Sequence, residues 1–364
     1  MLYYILYEKL FQYFSPFRVI DKLTVRSGAA AVTAFLISII FGPTLIRLLY
    51  RLKIGQQIRK EDCPPLHVLH KNKQGTPTIG GLLILASVVI SSLLWMRLDN
   101  LYTWIVLFVF VALGALGFVD DYLKVKKKQS LGLRARSKFI VQIFVAVVVS
   151  AVLIYTENKF PLYVPFYKFP VIQNMGIYFV FLAILVIVGS SNAVNLTDGL
   201  DGLAIGTITS VALSFTALAW LVSNVKWSGY LNIFYVPQAS ELTIFCAALV
   251  GAGLGFLWYN APPAMVFMGD TGSLALGGAV GVVALLIRKE VLLLIIGGIF
   301  VMEALSVILQ VTSFRLTKGK RIFKMAPIHH HFEIKGWPET RVTIRFWILA
   351  LIFALAGLIT LKLQ

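Results

Sequence analysis

Acidic residues are scarce in this chain: 16 of 364, against 33 lysines and arginines. Charge of either sign is sparse, at 13% of residues, while apolar side chains reach 59% and the mean hydropathy is +0.85. That composition excludes an ordinary soluble domain, in which charged residues take about a quarter of the chain. The two cysteines, Cys63 and Cys246, have no paired spacing, which excludes a disulfide framework and a thiolate metal site. No cleavable leader is legible. Residues 1–20 are aromatic-rich but broken by Glu8, Lys9, Ser15 and Pro16, so they read as an interfacial lead-in. Internal repeats and low-complexity linkers are also missing. One polytopic domain over residues 1–364 is the economical expectation.

Long apolar runs fill the rest. Residues 29–46, 81–96, 104–119, 139–154, 177–194 and 346–361 are nearly free of charge. Each approaches the roughly 20 residues that cross a bilayer as a helix. Ten spans are predicted, at about 23–48, 78–97, 101–121, 137–156, 175–194, 201–222, 240–259, 267–287, 291–313 and 342–362. The expected fold is an all-α integral membrane protein, ten transmembrane helices in one bundle.

Lysine and arginine set the orientation, because basic loops stay cytoplasmic. Loops 51–77, 122–138 and 314–341 hold 20 of the 33 basic residues, and the alternate connections hold few. With ten spans, both termini then lie outside the cytoplasm. The same parity places five aspartates, Asp120, Asp121, Asp198, Asp201 and Asp270, on the cytoplasmic side, at the ends of apolar runs. Carboxylates near hydrocarbon cost several kcal/mol, by rough estimate, and mark functional sites. Part of the +17 formal charge is positive-inside signal and attraction to anionic membrane lipids; the remainder suits a polyanionic substrate.

Four segments carry the chemistry. In GFVDDYLKVKKK (117–128), helical neighbours diverge by about 100°, so Asp120 and Asp121 cannot both face the same lipid. A solvated helix end, with Lys124 paired to either acid, is the plain alternative; adjacent carboxylates repel, which suits one to taking a proton. SSNAVNLTDGLDGLA (190–204) crowds Asn192, Asn195, Asp198 and Asp201 between apolar spans, a set of hard oxygen donors suited to Mg²⁺. Asp198 and Asp201 share a face if a helix starts there. NAPPAMVFMGDTGSLALGG (260–278) opens a span with Asp270 and Thr271, either an ordinary N-cap or an acid holding a metal beside phosphate. MAPIHHHFEIKGWPETR (325–341) brings His329, His330 and His331, which fit contact with phosphate better than a zinc site. HKNKQGTPTIGG (70–81) adds Lys73, a phosphate contact or mere positive-inside charge. Glu303, within an apolar run, is a proton or substrate group, or pairs with another span.

GFVDDYLK, NAVNLTDGLDGLA, NAPPAMVFMGDTGSLALGG, MAPIHHHFEIKGWPETR and GTPTIGG together resemble the polyprenyl-phosphate N-acetylhexosamine 1-phosphate transferases. Within them, the MAPIHHHFE segment marks the branch of phospho-N-acetylmuramoyl-pentapeptide transferases. The resemblance covers nearly the whole chain, without departure at the acidic or histidine positions. It implies a ten-helix enzyme of the bacterial cytoplasmic membrane, often a homodimer, working at its cytoplasmic face. The implied reaction joins undecaprenyl phosphate to the phospho-MurNAc-pentapeptide of UDP-MurNAc-pentapeptide, releasing UMP, with Mg²⁺ as cofactor and no nucleic-acid partner. It implies Asp270 as metal ligand and Asp120 or Asp121 as base or nucleophile. It also implies Asp198 and Asp201 at the nucleotide or metal and Lys73, Lys124 and Lys138 on phosphates. Asn195 and Asn260 would orient the diphosphate, Phe267 would stack on uracil, and His329, His330 and His331 would hold the sugar-phosphate. A transporter for an anionic solute is the rival class; it calls for acids at the bilayer midplane and an inverted repeat.

Overall fold

The structure, a computed structural model, describes residues 1–10, 13, 15–52, 54–55, 73, 75–127 and 132–363. Lys53, Arg59, Lys60, Cys63, Lys71 and Lys128, with most of the basic loop 51–77, lie outside the described residues. Each predicted span contains one long helix: α1 Leu23–Arg51, α2 Gly81–Trp95, α3 Leu101–Lys126, α4 Ala135–Thr156, α5 Phe179–Thr197, α6 Leu203–Ser223, α7 Ser240–Asn260, α8 Gly269–Leu286, α9 Gly298–Leu316 and α10 Glu339–Thr360. Among the described residues, nine helices are long and apolar enough to cross a membrane. The tenth, α2, has 15 residues and a length of about 23 Å at the usual rise. The fold is all-α, and the chain is a multi-pass membrane protein.

Three boundaries differ from expectation. The predicted span 291–313 is two helices, Glu290–Ile296 and α9, divided at Gly297. The Gly297–Gly298 pair, each lacking a side chain to stiffen the backbone, supplies the break. Helix α3 does not end at Asp121 but runs to Lys126, so both aspartates sit more than a turn inside it. Helix α6 starts at Leu203 and not at residue 201, because Gly202 adopts φ +72° and holds Asp198 to Asp201 in a turn.

Helix α8 is apolar on every side and belongs in the middle; residues 271–286 are all buried. Helices α2, α3, α5 and α6 pack around it. Small residues set the spacing, as they do where helices associate without water to drive them. A Cβ at Gly117 of α3 would stand 2.1 Å from the carbonyl oxygen of Asp270, so only glycine lets the two acid-bearing helices approach.

Side-chain ties show which segments share an end of the bundle. At one end Asn100 Nδ2 donates to the Gln238 carbonyl at 2.9 Å, Tyr102 to Glu157 at 2.6 Å, and Arg288 pairs with Glu157. Arg26 of α1 donates to both carboxylate oxygens of Glu241 of α7 at 3.0 Å, a buried pair. Tyr4 contacts Asp99 and Lys362 lies over Tyr230, so both termini belong to this end. The five aspartates gather at the other. Gly117→Ala is expected to lower stability by about 1–3 kcal/mol through overpacking, read as a lower unfolding temperature in detergent.

Candidate active site

Two strands of backbone bring the acid-bearing helices together. Residues 77–81 run along 266–268: Phe267 N–H donates to Pro77 at 2.8 Å, Gly80 to Phe267 and Gly81 to Met268 at 2.9 Å. That pairing sets the first turn of α2 against the first turn of α8.

Asp120, Asp121 and Asp270 each offer an oxygen within 4.8 Å of the others. Asp121 is not a solvated helix end. Its carboxylate accepts the N–H of Asp270 at 3.2 Å, and the N–H and hydroxyl of Thr271 at 2.9 and 2.8 Å. It thus caps α8 from another helix, where neither Asp270 nor Thr271 does so, and a negative group at a helix N-terminus is favourable. Gly269, at φ +73°, leaves room: a Cβ there would meet Asp121 Oδ2 at 2.5 Å.

Asp120 and Asp270 face cations more closely than Asp121, which has Lys124 Nζ at 3.5 Å. Lys124 Nζ lies 2.7 Å from Asp120 and 3.1 Å from Asp270; Lys138 Nζ lies 2.8 and 2.5 Å from the same two acids. Asp120 also accepts the Leu133 N–H at 2.7 Å. Asn195 donates to Asp270 at 3.0 Å and to Ser273 at 2.8 Å, fixing the carboxylate's orientation. Three carboxylates against two ammonium groups leave one net negative charge, and hard oxygen donors without sulfur or imidazole match Mg²⁺. Asp120 and Asp270, whose oxygens are held by movable lysines and not by backbone alone, fit such an ion best.

Asp198 and Asp201 part company because no helix joins them. Burial pushes the Asp198 carboxyl up to about 8, with the charges of Asp270 and Asp121 adding to it, although part of its surface meets solvent. Asp201 points the other way, to Lys73 at 2.6 Å and the Ala264 N–H at 2.9 Å. Glu339 at the start of α10, which sequence reasoning missed, accepts from Lys73 at 2.5 Å and from the Asp201 N–H at 2.7 Å. Half-buried Phe267 lies under Lys73, 5.9 Å from ring centre to Nζ. Asn260 is committed to the scaffold: its oxygen accepts the Gly202 N–H at 3.1 Å and its nitrogen donates to Val266 at 2.8 Å.

The histidines occupy a short helix, Ile328–Ile334; the His329 and His330 rings lie against each other, centroids 4.1 Å apart, while each bonds to a different partner. His329 is fully buried beside Gly199, where a Cβ would stand 2.3 Å from Nε2. His330 Nδ1 lies 2.7 Å from Glu333. His331 Nδ1 accepts the Lys324 N–H at 3.0 Å; its pKa is lowered by desolvation and then by Lys335 and Lys324. His329 abuts Gly199 of the Asp198–Gly199 turn. Gln142 is a second residue the sequence did not flag. One turn below Lys138 on α4, it bonds Ser191 at 3.2 Å and Asn192 at 2.9 Å, fixing α4 against α5.

Carboxylates gathered with lysines at one end of a helical bundle suit transfer between two phosphates, whose mutual repulsion needs positive charge to offset it. The chain belongs to glycosyl transferase family 4, which it matches over residues 103–288, a stretch that contains all five aspartates. In particular, it is 53% identical, over 367 residues and the full length of both chains, to a phospho-N-acetylmuramoyl-pentapeptide-transferase of Desulfatibacillum aliphaticivorans. That similarity extends past residue 288 to include the histidine segment.

Thr271→Val removes one bond to Asp121 and is expected to cost about 1 kcal/mol. Asp121→Ala leaves three donors without their acceptor and is expected to cost about 2 kcal/mol or more. Unfolding temperatures of the two purified variants check the ranking.

Proposed function

We propose that this chain transfers phospho-MurNAc-pentapeptide from UDP-MurNAc-pentapeptide to undecaprenyl phosphate, giving lipid I and UMP in peptidoglycan synthesis. The full-length similarity to a transferase of that name carries the substrates, and the Asp120–Asp270–Lys124–Lys138 cluster supplies fitting chemistry. The whole chain is taken as one transferase domain in the bacterial cytoplasmic membrane, working as a homodimer. Positive-inside charge supports a cytoplasmic site and external termini.

In this reading Asp270 and Asp120 hold Mg²⁺, which when bound offsets the charge of the diphosphate. Lys124 and Lys138 leave their carboxylates for phosphate oxygens as the nucleotide arrives. Asp121 is engaged at the α8 N-terminus, so Asp120 is the better placed of the pair to take a proton from, or approach, the lipid phosphate. Lys73 and Asp201 border the nucleotide, with Phe267 offering a face for uracil. His329 meets the sugar-phosphate from the Gly199 side, with His330 and His331 framing it. A transporter is disfavoured, because the acids cluster at one end and not along the bundle.

Purified protein in detergent, given undecaprenyl phosphate, Mg²⁺ and UDP-MurNAc-pentapeptide, is expected to release UMP. Asp270→Ala is expected to reduce that rate by about 10²-fold or more while unfolding as a cooperative protein. UMP release from a UDP-N-acetylglucosamine donor instead, or full activity of Asp270→Ala at ordinary Mg²⁺, overturns the assignment.

A further inference from the structure

An acid inside an apolar span needs a reason to be there. Glu303 of α9 is fully buried, and so is His329, whose Nδ1 lies 3.1 Å from Glu303 Oε1. The remaining atoms of the pair, Glu303 Oε2 and His329 Nε2, are buried without a hydrogen-bond partner among the described residues. Buried polar atoms are nearly always satisfied, so such a pair is an exception that asks for a ligand or a function. With the Glu303 carboxylate as acceptor, the hydrogen of that contact belongs to Nδ1 and Nε2 faces the backbone of Gly199. His331, two residues on, is held the opposite way, with Nδ1 accepting a backbone N–H.

We infer that Glu303 is a positioning residue for His329: it fixes the ring's tautomer and rotation so that Nε2 points at the Asp198–Gly199 turn. When an anionic group of the substrate reaches that turn and His329 carries a second proton, the Glu303 carboxylate balances the imidazolium, and Nε2–H donates to the anion. The same logic governs histidines oriented by a carboxylate in metal and hydrolase sites. This inference rests on the proposed function for the identity of the anion, but not for the dyad itself.

Two readouts test it. In the first, kcat and KM for the nucleotide are measured for Glu303→Gln, Glu303→Met, His329→Ala and the doubles. Glu303→Met is expected to lower kcat about 30-fold with KM within about threefold. Glu303→Gln, which keeps an acceptor but no charge, is expected to lose about fivefold. Neither change should slow His329→Ala further, because the interaction is already gone. Additive losses in the doubles, or wild-type kcat in both single variants, overturn the inference. If Glu303→Met does not fold, the Glu303→Gln cycle decides alone. In the second readout, ¹⁵N shifts of the His329 ring report its tautomer without turnover. Wild type should show the hydrogen on Nδ1 and Glu303→Gln a weakened bias, while identical shifts overturn the inference even if no UMP is released by any form.

Discussion

Like charges held within a few ångströms repel, and the carboxylate end of this bundle is arranged around relieving that repulsion. Asp120, Asp121 and Asp270 share one small space. The means differ in weight: Asp121 is relieved chiefly by the N-terminus of α8, with Lys124 3.5 Å away, and Asp120 and Asp270 by two lysines shared between them. The helix dipole and the lysines are not interchangeable. The first is fixed by backbone and cannot leave; the second sits on long side chains that rearrange when a stronger cation or a polyanion arrives. A site that must accept both can thus be empty of them and still be stable.

Around that core the packing follows. Glycine at position 117 lets α3 approach α8 closely enough for the cap to form. The backbone pairing of residues 77–81 with 266–268 sets α2 against the same helix start. Asn195, from α5, reaches Asp270 where Ser191, a turn deeper on the same helix, donates to the Leu274 carbonyl of α8 and holds α5 against it. Removing any one support leaves the acids present but misplaced, and a small misplacement of reacting groups is costly in rate.

Much of this was legible in the sequence. Charge-free runs of about 20 residues announce helices in a membrane, and alternation of basic and sparse loops assigns the five aspartates to one end. Both features depend on composition along the chain, so they survive without tertiary information. What was not legible depends on contacts between distant residues. Asp121 and Thr271 are 150 positions apart, and Lys73 and Glu339 are 266 apart. Nothing in the DD pair says which member meets a helix end. Asn260 sits in a motif that reads as substrate-binding, yet its amide is consumed by Gly202 and Val266. Glu303 stood out as a costly acid, but its partner lies across a loop on a separate short helix. The break at Gly297 did carry a signal, the Gly–Gly pair, masked by apolar residues on both sides.

The buried pair between Arg26 and Glu241 has a mechanical meaning. Sliding α1 along α7 would separate two desolvated charges, at a cost of about 3–5 kcal/mol for a broken buried pair, whereas a small tilt about that point leaves them together. The pair therefore fixes the register of α1 on α7, and the Tyr259 hydroxyl, donating to the Ile39 carbonyl at 2.8 Å, ties the same two helices again toward the carboxylate end.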